Sequence, residues 1–465
     1  MCFSNAPNAP FQLPHCGIPE PIESSQGVIN FGYSGDRGHC GRPMPNKLGF
    51  PSLRQLRAFE AVARLNSIGA AARELGLSQS AVTQMVAQME TALAASLLER
   101  RRNGTYLTPL GAVLLPRIER LFAHIQSALR DPVVGASLAG RETTRSVENK
   151  ITDTHIRALT AIAECGSFEA AARRLDISQP ALHRTARDLE RLVRRSLYQR
   201  MARGMAPTSQ ARELARRLKV ALRELEYGIE EIRAAQGIFL SRIRIGNIPH
   251  SGTHLLSKAI NQFLASYPAA FVHVLDGPYE PLLDALRGGD LDLLFGVLRR
   301  PAWAIDVREE FLFSNPYAVV VRRQHPLARI RNVTLRDLAG YDWILPARGA
   351  PRREAFERLF AGAPRAPIVS IETSSSAIYQ SVLATTDKIA LLSTLEAQFA
   401  DPEALTIVPF DSPELARADG VATRADWHST RLHQQFLDLL RREAQDYLES
   451  RTRGAAPRRA RALRS

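Results

Sequence analysis

Apolar positions set the first elements of the chain. Leu56, Phe59, Val62 and Ala63 recur at helical spacing, and a short Ala-rich stretch follows Ser67 and stops at Gly76, a residue suited to end a helix. Beyond Ser78, whose hydroxyl can accept from an orphan N–H, Val82, Met85, Val86, Met89 and Leu93 fall at i, i+3, i+4, i+7 and i+11. Gln79, Ser80, Thr83, Gln84 and Ala87 lie opposite. The same pattern returns 100 positions on, with Leu182, Ala186, Leu189 and Val193 inside and Gln179, Pro180, His183, Arg184 and Arg187 outside. Between 56–111 and 156–211 there are 19 identities in 56 ungapped positions, so one unit occurs twice. Two short helices joined by a tight turn, the second exposing small and polar residues at its start, predict a helix-turn-helix.

Each unit is followed by a longer seam: Leu110, Leu114, Ile118, Leu121, Ile125 and Leu129, then Leu214, Leu218, Leu222, Leu225, Ile229 and Ile232. Spacings alternating between three and four call for a partner helix. We expect the two linker helices of one chain to pair. From Ile238 the pattern turns to strands alternating with helices, among them strands at Arg242–Gly246, Phe271–Leu275, Trp343–Leu345 and Val369–Glu372, which predicts an α/β domain with a mostly parallel sheet.

The boundaries read from these patterns are an extension over 1–50, first helix-turn-helix 51–108, linker helix 109–130, flexible linker 131–150, second helix-turn-helix 151–208, linker helix 209–236, and an α/β domain over 237–450. Subdomain 1 of the latter covers about 237–315 and 418–450, and subdomain 2 about 316–417. A basic tail, 451–465, is expected to be disordered. The Pro/Gly/Asn/Ser-rich extension has no periodicity and reads as disordered, with Met44 an alternative start.

Charge sharpens the division. The net of +14 is unevenly spread: residues 51–236 hold 29 Lys+Arg against 19 Asp+Glu, whereas 237–450 hold 23 against 25. A basic N-terminal half joined to a near-neutral half suggests a polyanion-binding part and a second function. There is no bilayer-length apolar stretch and no signal-peptide pattern, so a cytoplasmic protein without membrane contact is expected. Four cysteines imply no disulfide framework, and His15-Cys16 and His39-Cys40 lack metal-ligand spacing. No cofactor or metal is expected. The absence of GxSxG, HExxH, Walker A and GxGxxG motifs argues against an enzyme, and Cys165 reads as core.

At this point the chain resembles the LysR-type regulators. The carrying residues are Ala71–Leu75, Ser78–Val82, Leu97–Arg100 and Leu107–Gly111, then Arg244-Ile245-Gly246, Gly289–Asp292 and His325-Pro326-Leu327. The resemblance implies winged helix-turn-helix DNA binding, a linker helix that mediates dimerisation, and an effector domain of two Rossmann-like subdomains like type 2 periplasmic binding proteins. The chain departs from the family in its two DNA-binding units, in Thr83-Gln84 and His183-Arg184 where the family has Ser-Arg, and in Ala211 where it favours Gly.

Base reading in double-stranded DNA is expected from Gln79, Ser80, Thr83 and Gln84 and from Gln179, Pro180, His183 and Arg184, since Gln suits adenine and Arg suits guanine by bidentate geometry. Arg100, Arg101, Arg102, Arg200 and Arg203, in turn-bearing loops that fit wings, are expected on phosphates. For an anionic small-molecule effector the candidates are Ser251 and Thr253, Ser374 and Ser375, which place hydroxyls and amides at helix starts, with Arg348, Arg352 and Arg353 adding charge. A homo-oligomer is expected, with RNA polymerase a further partner. The alternatives are a cytoplasmic ligand-binding module or a nonspecific architectural DNA-binder.

Overall fold

The computed structural model describes residues 50–133, 144–202, 204–249, 252–299, 303–363 and 366–462, the last twelve as backbone only. The expectations for 1–49, 134–143, Arg203 and Ser251 lie outside the described residues.

In the first unit α1 (Leu53–Leu65), α2 (Ile68–Leu75) and α3 (Gln79–Leu93) lead into the hairpin β1 (Leu98–Arg101) and β2 (Gly104–Leu107), then α4 (Pro109–Arg130). Ser52, Ser67 and Ser78 cap the three helices by accepting from Gln55, Ala70 and Ala81 amides. Gly76 ends α2 at φ +64°, a conformation that costs glycine least. The second unit repeats this order after α5 (Thr144–Lys150): α6 (Asp153–Cys165), α7 (Phe168–Leu175), α8 (Gln179–Val193), β3 (Tyr198–Met201), β4 (Gly204–Pro207) and α9 (Ser209–Ala235).

The expected wings take shape here, and one other expectation changes. The basic loops form two-stranded antiparallel hairpins, Arg100 pairing with Thr105 and Arg200 with Met205. The flexible linker of 131–150 contains α5: Val147 and Ile151, four apart in polar surroundings, are buried in the common core. Glu148 O accepts from Arg57, which fixes this helix to the first unit.

The two long helices run antiparallel against each other. Asp131 at the end of α4 meets Arg217 near the start of α9, whereas Arg117 near the start of α4 reaches Glu231 near the end of α9. Gly228 permits their close crossing, for a Cβ there would stand 2.7 Å from Leu114 Cδ1 and 3.1 Å from Arg117 Cβ. One hydrophobic core, from Leu53 through Ile232, is shared by both units and both long helices.

The α/β part follows as β5 (Arg242–Asn247), α10 (Thr253–Ser266), β6 (Phe271–Asp276), α11 (Tyr279–Arg287), β7 (Leu293–Val297) and β8 (Val307–Ser314), then β9 (Tyr317–Arg322), α12 (Leu335–Ala339), β10 (Trp343–Leu345), α13 (Pro351–Leu359), β11 (Val369–Glu372), α14 (Ser376–Thr385), β12 (Ile389–Ser393), α15 (Thr394–Gln398) and β13 (Leu405–Ile407), and finally β14 (Ala418–Arg424) and α16 (Arg431–Ala462). Two five-stranded sheets result, ordered β6-β5-β7-β14-β8 and β11-β10-β12-β9-β13. In each, four of the five strands run the same way, as expected of a mostly parallel sheet, and one strand, β14 or β9, runs against them and makes two antiparallel pairings. The antiparallel pairings adjoin the two crossovers between the sheets. At those crossovers Asn315 N donates to Arg417 O at 3.0 Å, and Asn315 Nδ2 to buried Asp419 at 2.7 Å. Residues 451–462, expected to be disordered, continue the backbone of α16, through Gly454 and Pro457.

Candidate DNA-reading heads and effector cleft

On α3, Gln79, Ser80 and Gln84 are exposed and Thr83 is half-buried; on α8, Gln179, Pro180 and Arg184 are exposed or nearly so. Arg184 makes no hydrogen bond or ion pair with a described residue and is available to a base edge. His183 is more constrained: its ring stacks on Phe168 at 4.3 Å and 13°. The first unit has Ile68 and Thr83 at these positions, so the second head replaces a non-aromatic pair with a stacked aromatic one. Gln79 also leans back, its Nε2 2.8 Å from where a Cβ on Gly69 would be.

Each wing is hung from the recognition helix by one carboxylate. Glu90 Oε1 accepts from Leu97 N at 2.7 Å and Leu98 N at 3.0 Å, and Glu190 Oε1 accepts from Leu197 N at 2.8 Å and Tyr198 N at 3.2 Å. Glu90 and Glu190 stand out as a matched pair in the repeat, but the repeat alone does not give their role. Arg100, Arg102 and Arg200 project from the hairpins into solvent, while Arg101 pairs with Glu99 and lies 5.3 Å over Tyr106. Ala211 marks a real difference between units. A Cβ on its counterpart Gly111 would stand 2.1 Å from Leu97 O, whereas Ala211 is accommodated in the second core.

The α/β domain is locked onto α9 by the Gly289–Asp292 segment. Tyr227 Oη donates to Asp292 Oδ1 at 2.6 Å, Arg223 Nε to Gly289 O at 2.7 Å, and Arg244 N to Asp292 Oδ2 at 2.7 Å. Asp292 is fully buried; burial opposes its charge, yet His433 and Arg244 hold its carboxyl far below the usual carboxylate range.

Residues that follow β5 and β7 meet elements of the second sheet, and the carboxyl ends of parallel strands are where open α/β folds form their ligand crevice. Arg299, just after β7, donates to Gly349 O at 3.3 Å and pairs with Glu354 of α13. His254 of α10 stacks on Phe399 at 3.6 Å. The helices α10, α11 and α13 begin without a side-chain cap, whereas Ser375 caps α14. Thr253 and Ser374 are exposed at this end, and the Ser375 hydroxyl is committed to Ile378 N. Of the expected arginines, Arg348 and Arg353 both turn to Glu357, at 4.0 and 3.0 Å. Arg352, between them in the sequence and also expected to add charge, turns elsewhere. It is 3% exposed, donates Nη2 to Glu396 at 2.5 Å and lies 5.0 Å over the Tyr379 ring. Its Nη1 is buried without a hydrogen-bond partner among the described residues. Burial pushes the Tyr379 hydroxyl up to about 12. No group of three or more described His, Cys, Asp or Glu could hold a metal, and no described helix is long and apolar enough to cross a membrane.

Two repeated DNA-binding units ahead of a two-lobed ligand domain define a bacterial regulator. The model for the LysR-family bacterial regulatory helix-turn-helix protein matches twice, over 53–112 and 154–212, and that for the LysR substrate binding domain over 239–445. The chain belongs to the LysR family: it is a DNA-binding transcriptional regulator with a domain for a small-molecule effector. The HTH-type transcriptional regulator GalR of Pseudomonas putida is 31% identical over 380 residues, 81% of this chain and 93% of GalR. PcaQ of Agrobacterium fabrum is 28% identical over 312 residues, 66% of this chain and all of PcaQ. The alignment with GalR is too long to fit the second unit and the effector domain alone, so it reaches into the first unit as well. A full-length OxyR variant from Pseudomonas aeruginosa shares the fold, with a TM-score of 0.50 at 21% identity over 62% of this chain and 94% of OxyR.

Proposed function

We propose that the effector is a small organic anion held between the two sheets, and that its binding alters how the DNA-reading heads engage a promoter. The observation that carries this is Arg352. Its guanidinium, with a buried Nη1 that has no hydrogen-bond partner among the described residues, stands in the first turn of α13, which like α10 and α11 begins without a side-chain cap. Orphan amides and the positive ends of helix dipoles favour negative charge. Thr253, Ser374 and Ser375 supply hydroxyls at the rim, Ser251 joins them by its place in the sequence, and Arg348 and Arg353 add a weaker positive field. Closure or opening about the Asn315–Arg417 crossovers would then be passed to α9 through Asp292 and Tyr227, a shift in the population of existing conformations.

In this reading Gln79, Ser80, Thr83 and Gln84, with Gln179, Pro180, His183 and Arg184, face base edges. Arg100, Arg101, Arg102, Arg200 and Arg203 contact phosphates. The protein works in the cytoplasm as a homo-oligomer, acts with RNA polymerase and carries out no catalysis. Thermal-shift measurements with aromatic and sugar acids beside their neutral amides test the anion. Stabilisation by an acid that disappears in Arg352→Met supports it; stabilisation by the neutral compounds alone refutes it.

A further inference from the structure

The two heads differ in charge and are held in one body, and together these facts bear on the DNA site. Within α3 there is no Lys or Arg, whereas α8 carries Arg184, Arg187 and Arg191. The units are tied to each other's far ends in matched fashion. Ala94 and Arg194, equivalent in the repeat, both adopt left-handed backbone, at φ 49° and 51°. The end of α4 reaches the second of these corners, where Arg195 donates to Pro132 O and Val133 O at 2.9 and 2.6 Å. The end of α9 reaches the first, where Gln236 Nε2 donates to Ala94 O at 3.0 Å. Antiparallel long helices, a shared core and reciprocal ties make an approximate two-fold within one chain. The apolar seams of α4 and α9 are spent on each other: Leu114, Ile118, Leu121, Ile125 and Leu129 are buried, as are Leu214, Leu218, Leu225 and Ile232.

We propose that one chain sets both recognition helices on a single duplex, and that this duplex carries two unlike half-sites. This rests on the reading of α3 and α8 as base readers. Paired helix-turn-helix units bind half-sites one helical turn or a multiple apart, and their symmetry is mirrored in the DNA. Here the two-fold is only approximate, so the site is a broken palindrome. The α3 side is read by neutral Thr83 and Gln84, with adenine the base that suits Gln; the α8 side is read beside Arg184, with guanine the base that suits Arg. Arg187 and Arg191 lie further along α8, where they pair with Glu190 and Asp188.

The test starts from duplexes enriched from a random-sequence pool by the full-length protein, followed by affinity measurements with Gln84→Ala, Arg184→Ala and an equal mixture of the two. Two different half-sites are expected, each variant losing about tenfold at its own half. The mixture should bind no better than either variant, because no chain in it has both heads intact. Recovery of wild-type affinity by the mixture would overturn the proposal, as it would mean that the halves are read by different chains; so would a motif of two identical halves. Enrichment of no motif would remove the base-reading assignment itself. Both residues are exposed, and melting curves matching wild type would establish that each variant is folded; Thr83→Ala and His183→Thr form a second pair for the same comparison.

Discussion

Arg117 Nη1 and Glu224 Oε2 lie 3.0 Å apart, each side chain only 3% exposed, on helices from opposite halves of the repeat. Arg117 also makes a two-pronged contact with Glu231, at 2.9 and 2.5 Å, and donates to His428 O of the effector domain at 2.6 Å. One guanidinium therefore joins α4, α9 and the loop before α16.

Replacing Arg117 by Met leaves Glu224 buried with only Arg120 beside it. Breaking a buried pair from one side costs about 3–5 kcal/mol, whereas replacing both partners by apolar groups is much milder. Denaturant melts should place Arg117→Met well below wild type and Arg117→Met/Glu224→Met above the single variant. A double variant no more stable than the single one would deny the pairing its role.

Glu190→Ala strands the amides of Leu197 and Tyr198 at the root of the second wing. Leaving a buried donor unmade costs about 1–3 kcal/mol. Amide exchange at 197–207 should quicken, and Glu190→Gln, which keeps an acceptor oxygen, should fall between Ala and wild type. Unchanged exchange in Glu190→Ala would contradict the role given to the carboxylate.

Glu213 makes an acid-sensitive joint. Burial would raise its carboxyl, but hydrogen bonds from Arg216 and Arg217 outweigh this and hold it down to about 2. A depressed carboxylate stabilises the fold above its unfolded value near 4.5, and that contribution disappears as pH falls towards 2. The stability deficit of Glu213→Gln should be full at pH 7, shrink below about 4.5 and close near 2. A deficit independent of pH would rule out this linkage. Arg216 also donates to Arg287 O at 2.9 Å, which puts the sensitivity at the contact between α9 and the effector domain.

Arg299→Ala removes the ion pair and backbone hydrogen bond that tie the first sheet's loop to α13. The pair is partly exposed, so about 0–1 kcal/mol of stability is at stake. The clearer readout is local: hydrogen exchange over 346–355 should rise while the core of α4 and α9 stays protected. Equal exchange with wild type would mean that the bridge does not hold the lobes.

Much of this is legible in sequence because the repeat preserves both inside and outside positions. Val82, Val86, Met89 and Leu93 are buried together, as are Leu182, Ala186, Leu189 and Val193, and Ser78 and Ser178 both cap. The seams of α4 and α9 demand partners and find each other. What the sequence hides depends on direction or distance. Arg352 and Arg353 are neighbours on α13, and composition does not say which faces Tyr379. Arg117 reads as one polar residue between Leu114 and Ile118 until α9 is laid alongside. The strand β8, Val-Arg-Glu-Glu-Phe-Leu-Phe-Ser, lies at a sheet edge and shows no clean alternation, so its pairing with β14 more than a hundred residues later has no local signal. Val147 in α5 and Ile151 just after it are too few to announce a helix that is ordered by docking.

The antiparallel pairing of α4 with α9 has a mass-action consequence. Two helices on one polypeptide cannot be separated by dilution; their encounter is governed by a tether and not by how many copies a cell contains. If the two heads grip one duplex, occupancy should rise with the first power of protein concentration, even when the regulator is scarce.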